Sequence, residues 1–181
     1  ESFGADGITI HPRPDQRHIR YSDIPALKAI VSTELNIEGN PTEEFMQQVL
    51  AYKPHQCTLV PDSPSALTSD QGWDTLKESS FLTEITARLK EQGIRVSIFL
   101  DASPRMVEGA ASIGADRVEF YTGPFAAQYR TDPRAAIAGH IAAAQEASQL
   151  NVGVNAGHDL NLDNLRFYAS MIPNLLEVSI G

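Results

Sequence analysis

Two histidines, an arginine and several carboxylates in this chain stand where short apolar runs end, and their types suit proton transfer and anion binding. His11 closes the run Gly7–His11 and is followed by Arg13, flanked by Pro12 and Pro14. Prolines on both sides stiffen that loop and suit a fixed guanidinium aimed at a phosphate or carboxylate; a surface Arg in a salt bridge would read the same. Glu38 closes Leu35-Asn36-Ile37-Glu38 ahead of Gly39. A carboxyl at the end of a buried strand suits general acid/base work; the bland alternative is a loop or cap carboxylate. Glu119 alternates with Val118 and Phe120, so it faces away from them. An inward Glu is either structurally paired or catalytic, because an isolated buried charge is costly. Asn155-Ala156-Gly157-His158-Asp159 brings His158 to a strand end behind a glycine that permits close approach of a ligand. Asp62, Thr68-Ser69-Asp70, Asp101 and Thr122-Gly123 complete the polar strand ends. His55 in a pre-strand loop and His140 in an Ala-rich stretch read as structural or solvent-facing, Trp73 as packing, and Cys57 as core.

The elements that must position these groups are seven apolar, β-branched runs: Gly7–His11, Glu34–Glu38, Gln56–Val60, Arg95–Leu100, Arg117–Tyr121, Asn151–Asn155 and Leu175–Ile180. Helical stretches lie between them. Thr42–Tyr52 carries Phe45, Met46, Val49 and Leu50 with Thr42 as N-cap, Phe81–Gln92 has one apolar face, and Arg134–Leu150 is Ala-rich. Alternating strand and helix predicts a parallel sheet covered by helices. Phe3-Gly4-Ala5-Asp6-Gly7-Ile8 resembles Ile113-Gly114-Ala115-Asp116-Arg117-Val118, and Gln92-Gly93-Ile94 precedes the fourth run in the same way. Each glycine suits a helix C-terminus leading into a strand, and repeated αβ units fit a (β/α)8 TIM barrel better than a doubly wound sheet. No G-x-G-x-x-G follows the first run and no P-loop is present. With seven runs rather than eight, we expect a single barrel domain over residues 1–181, truncated at both ends, whose first strand precedes Glu1 and whose last helix follows Gly181. The chemistry of such a barrel gathers at the C-terminal ends of its strands.

Composition narrows the partners. Of 181 residues, 42% are hydrophobic and 20% charged, enough to bury a core. The net charge of −9, from 14 Lys and Arg against 23 Asp and Glu, argues against nucleic acid, and no apolar run is long enough to span a membrane. The lone Cys57 and the lack of a basic, apolar leader predict a cytoplasmic protein.

Several blocks taken together resemble the pyridoxine 5′-phosphate synthase family: Gly4–Ile19, Leu35–Gly39, Thr58–Asp62, Val96–Asp101, Glu119–Gly123 and Val154–Leu160, in family order over nearly the whole chain. The resemblance implies a (β/α)8 barrel that condenses 1-deoxy-D-xylulose 5-phosphate with 3-amino-2-oxopropyl phosphate to pyridoxine 5′-phosphate, phosphate and water. It implies a homo-octamer, phosphorylated small-molecule substrates, and neither metal nor organic cofactor. By the same resemblance His11 and Glu38 are general acid/base residues and His158 a proton donor. Arg13, His18 and Thr68 match the deoxyxylulose-phosphate site, Glu119 is counted among the substrate-binding positions, and Asp159 and Gly181 fall at product-binding positions. The family's first strand, its last helix and a His after Gly181 have no counterpart here, and Asp159 stands where some members have Gly; a segment without those elements is expected to be inactive alone. The alternatives are a metal-dependent phosphosugar epimerase or aldolase barrel, using His11, His158, Asp62 and Asp101 as ligands, and a non-catalytic phosphosugar-binding domain. The stretch from Pro61 to Leu76, rich in small polar residues, is expected to form a lid over the substrate.

Overall fold

Successive residues of a strand point to opposite faces, and in this chain the two faces differ sharply in chemistry. Ile10, Leu35, Ile37, Cys57, Leu59, Val96, Ile98, Leu100, Val118, Phe120, Val154 and Ala156 form one face and are all buried. They pack on helix residues such as Phe45, Met46, Val49, Leu82, Leu89, Val107 and Ala144. The other face carries Thr9, Glu34, Asn36, Glu38, Gln56, Thr58, Arg95, Ser97, Arg117, Glu119, Asn155 and Glu177. A computed structural model, describing residues 4–63 and 66–180, shows how that pattern folds.

Seven strands form one all-parallel sheet in sequence order: β1 (Gly7–Ile10), β2 (Glu34–Gly39), β3 (Gln56–Leu59), β4 (Arg95–Leu100), β5 (Arg117–Tyr121), β6 (Gly153–Gly157) and β7 (Leu175–Ser179). The helices between them are α1 (Ile24–Ile30), α2 (Glu43–Tyr52), α3 (Ser79–Lys90), α4 (Pro104–Ile113), α5 (Gly123–Tyr129), α6 (Pro133–Gln149) and α7 (Leu165–Met171). The sheet curls into a nearly closed barrel, the seven-strand form of a (β/α)8 architecture, with the apolar face outward under the helices. No helix of the described residues is long and apolar enough to cross a membrane.

Apart from Phe99 and Tyr121 the inward face is polar, where barrels of this type are usually filled by branched aliphatic side chains. Several of its groups are joined sideways, strand to strand, while Ser97 Oγ and Glu119 Oε2 have no hydrogen-bond partner among the described residues. Asn36 Nδ2 donates to Thr9 Oγ1 at 3.3 Å and Thr58 Oγ1 at 3.0 Å. Arg95 Nε donates to Gln56 Oε1 at 2.8 Å, and its guanidinium pairs with Glu34. Arg117 reaches Glu177 at 2.9 Å and Asn155 at 3.3 Å.

Local signals set the ends. Thr42 Oγ1 accepts from Phe45 N and caps α2, and Asp132 accepts from Arg134 N and Ala135 N to cap α6 behind Pro133. Gly4, Gly93 and Gly114 all take positive φ, and Gly114 closes α4 at φ 87°, so the repeated glycine-to-strand signal has a conformational basis. One strand differs from its expected position. The sixth begins at Gly153 rather than Asn151, because Asn151 turns left-handed (φ 57°) and Val152 N still bonds back to Ala147 O at 2.9 Å, finishing α6. The shift places Gly157 inside the strand and His158 immediately after it.

His140 proves to be structural. It lies in α6, 6% exposed, with Nδ1 2.8 Å from the Tyr168 hydroxyl and its ring against Phe120 and Phe125. Burial pushes its pKa down to about 4 from 6.5. A depressed native pKa means that the unfolded chain binds the proton first. Stability is therefore full above pH 6.5 and is lost as pH falls towards 4. We expect His140→Gln to shrink the stability difference between pH 7 and pH 4.5 by roughly 2–3 kcal/mol, read from urea unfolding at the two pH values.

Candidate active site

The C-terminal ends of β1, β2 and β3 deliver three groups to one point. His11 follows β1 directly, and its Nδ1 lies 2.9 Å from Glu38 Oε1 near the end of β2. On the other side of the ring, Nε2 lies 3.9 Å from Asp62 Oδ2. That same oxygen accepts from Arg13 at 2.9 Å and from the Ser69 hydroxyl at 2.6 Å, while the Asp62 carbonyl accepts from Asn40 Nδ2 at 2.8 Å. The side chains of His11, Glu38, Arg13 and Asp62 are only 17%, 9%, 11% and 8% exposed, which strengthens their mutual attraction relative to open water. A pocket opens beside them, lined by His11, Arg13, Tyr21, Asn40, Phe45 and Asp62. Arg13 is ion-paired with Asp62 and lines the pocket.

Glu119 points into the barrel from β5, 1% exposed, and its Oε2 has no hydrogen-bond partner among the described residues. Among the described residues no cation pairs with it. Burial, and after it the negative charges of Glu38 and Glu177, hold its carboxyl well above the usual carboxylate range and favour the protonated acid. Gly157 lies alongside: a Cβ there would stand 2.3 Å from Glu119 Oε1. The missing side chain is what admits the carboxyl.

His158 and Asp159 both adopt left-handed backbone angles, φ 77° and 56°. Such conformations in non-glycine residues persist only where the surroundings impose them. Thr122, at the end of β5, supplies the constraint. Its hydroxyl donates to Gly157 O at 2.5 Å and also to His158 O, and its N–H reaches Gly157 O at 3.0 Å. The imidazole packs between Phe99 and Tyr121, at centroid distances of 5.0 and 5.7 Å, and its Nδ1 is buried without a hydrogen-bond partner among the described residues. The Tyr121 hydroxyl is raised in pKa by burial first and then by Asp159, Asp70 and Asp101, which marks those carboxylates as neighbours across the mouth.

Other expected positions fall less centrally. His18, Thr68 and Asp159 are exposed. The neighbours of the first two make the contacts: Arg17 donates to Ala66 O and Leu67 O, and Ser69 to Asp62, tying the loop after β1 to the loop after β3. Gly181 lies outside the described residues. The four ligands of the metal alternative are not gathered; among the described residues no group of three or more His, Cys, Asp and Glu side chains is placed to hold a metal ion. Asp62, Tyr121 and Thr122 emerge as site residues that sequence reading left at the margin. Their signal was position alone, at or just past the end of a strand.

The family model of the pyridoxal phosphate biosynthesis protein PdxJ matches residues 1–181. Pyridoxine 5′-phosphate synthase of Cytophaga hutchinsonii is 58% identical over 181 residues, all of this chain and 76% of that protein. The protein of the same name from Bacteroides thetaiotaomicron is 54% identical with the same coverage. Among solved structures, mutually generated monomers of dimeric phosphoribosylanthranilate isomerase from Thermotoga maritima superpose with a TM-score of 0.62 at 14% identity, covering 98% of this chain and 77% of that one. At that identity the likeness speaks for the barrel alone.

The contact between Gly157 and Glu119 gives a direct check. Gly157→Ala should cost about 1–3 kcal/mol through overpacking. Pairing it with Glu119→Ala, which vacates the space, should recover most of that loss in a double-mutant cycle followed by urea unfolding. Additive losses would show that the close approach is not why position 157 is glycine.

Proposed function

From the premise that this chain belongs to the pyridoxal phosphate biosynthesis protein PdxJ family, we propose that its barrel mouth condenses 1-deoxy-D-xylulose 5-phosphate with 3-amino-2-oxopropyl phosphate, releasing pyridoxine 5′-phosphate, phosphate and water. The observation that carries the assignment of the chemistry is the 2.9 Å contact between His11 Nδ1 and Glu38 Oε1 at adjacent strand ends. Joining an amine to a ketone expels water through an imine, which requires a group that gives and takes protons in turn. Glu38, nearly enclosed and hydrogen-bonded to an imidazole, is suited to that exchange, with His11 polarising a carbonyl or carrying the proton onward. A later step expels phosphate. His158, with a buried ring nitrogen that has no partner and a backbone clamped by Thr122, is our proton donor to that leaving group.

Arg13, His18 and Thr68 are assigned to the deoxyxylulose phosphate, and Asp159 with Gly181 to the other phosphorylated ligand. Glu119, uncharged when protonated, is assigned to donate a hydrogen bond to a substrate oxygen from inside the barrel. We read the chain as one barrel domain of a cytoplasmic homo-octamer that works without metal or organic cofactor, all on the family resemblance. The loop from Pro61 to Leu76 is assigned as the substrate lid, with Ser69 as its anchor on Asp62.

Two measurements test the roles. Glu38→Gln in the full-length protein keeps shape and hydrogen-bonding reach but not proton transfer, so turnover should fall by about 10²–10⁴-fold; a fall under threefold would remove Glu38 from the chemistry. Arg13→Ala and His158→Asn should separate on the kinetic constants. Loss of uniform substrate binding at Arg13 raises KM with kcat nearly kept, whereas loss of His158 lowers kcat. Equal rises in KM for both would make His158 a binding residue only.

A further inference from the structure

The residue at which the contacts of the mouth converge has neither a catalytic nor a substrate-binding part in the reading above. Asp62 Oδ2 accepts from Arg13 NH1 at 2.9 Å and from Ser69 Oγ at 2.6 Å, and it lies 3.9 Å from His11 Nε2. Among the residues lining the pocket, Arg13 is the permanent cation and Asp62 the carboxylate facing it. The cation offered to a phosphate is therefore already neutralised when the pocket is empty. Both side chains are about nine-tenths buried, so water screens the pair weakly and an incoming anion must outcompete a full charge. The carboxylate is not stranded when displaced. Ser69 keeps its hydrogen bond, and His11 Nε2 stands on the far side of the same oxygen.

We propose that Asp62 is an internal counter-ion that competes with incoming anions for Arg13, so that an anion bringing no further contacts, inorganic phosphate above all, is held only weakly. The proposal rests on the assignment of Arg13 to substrate binding. A sugar phosphate brings carbonyl and hydroxyl contacts that help to displace Asp62. Inorganic phosphate, itself a product, brings none, and so leaves the site readily. The cost of displacing Asp62 falls on both ligands; the sugar phosphate offsets it with its other contacts, and inorganic phosphate cannot.

The test is the inhibition constant of inorganic phosphate, measured against deoxyxylulose phosphate in the full-length protein. Asp62→Asn keeps size and hydrogen-bond acceptance but removes the charge, and should tighten inhibition by about tenfold or more, the scale of one hydrogen bond to a charged group. Asp62→Glu restores the charge and should return the constant towards the parent value. An unchanged or weaker inhibition in a folded Asp62→Asn protein overturns the proposal. If that variant does not fold, the parent decides. Its Arg13 Nε–H resonance, assigned by loss in Arg13→Ala, should move with deoxyxylulose phosphate near its KM and require at least about tenfold more inorganic phosphate; equal sensitivity to the two ligands overturns the proposal. Arg13→Ala separates the levels. If it leaves the KM for deoxyxylulose phosphate unchanged, the assignment of Arg13 fails and the counter-ion role falls with it. If KM rises while Asp62→Asn leaves phosphate inhibition unaltered, only the counter-ion role is lost.

Discussion

The polar interior of the barrel is the constraint from which the rest follows. A buried polar side chain without a partner costs on the order of 1–3 kcal/mol, which favours a register in which inward groups meet each other across strands. Asn36 between Thr9 and Thr58, Gln56 beside Arg95, and Arg117 beside Glu177 are those meetings. Side chains alternate with a period of two, so a one-residue slip would turn these groups onto the helices and drive Ile37 or Val96 inward. The pairings therefore fix the register. The register in turn carries β1 and β2 forward in step, Ile10 opposite Ile37, and so brings His11 beside Glu38.

Electrostatics divides the site into two halves. At β1 to β3 each carboxyl group has a nitrogen base or cation within reach at little exposure, Glu38 beside the His11 imidazole and Asp62 beside the Arg13 guanidinium. At β5 to β7 the buried Glu119 has carboxylates as its charged neighbours, and the proton itself relieves the repulsion. One barrel thus holds carboxyl groups of contrasting character, set by what each faces rather than by residue type. A chain of net charge −9 can accordingly receive phosphorylated ligands, because the local arrangement at the mouth matters more than the overall sum.

Much of this was legible in the sequence. The seven runs became seven strands because β-branched and apolar residues recur at strand length, and Thr42, Gly93 and Gly114 marked helix ends through capping chemistry that acts locally. Alternation alone put Glu119 on the face opposite Val118 and Phe120, and the barrel turns that face inward. Where tertiary contacts decide, the sequence was silent. The start of β6 depended on a hydrogen bond from Val152 back into α6, and helices of seven residues, such as α1, α5 and α7, are too short for periodicity to declare them. Asp62 read as one polar strand end among several. Its importance lies in partners at positions 11, 13 and 69, which only the folded chain brings to one oxygen.

Thr122 fixes His158 from a neighbouring strand rather than from the loop that carries it. The direction of the imidazole is inherited from the end of β5 and from the two aromatic rings beside it, whereas the turn over 160–164 reaches back to the Asp159 carbonyl, which accepts from Asn164 Nδ2 at 3.1 Å and from Asn161 Nδ2 at 3.5 Å. That turn thus steadies the residue after the histidine and not the imidazole itself. Changes of sequence past Leu160 that keep Asn161 and Asn164 can remodel the rim of the mouth, and with it which larger ligands gain entry, while the aim of the histidine stays where β5 has set it.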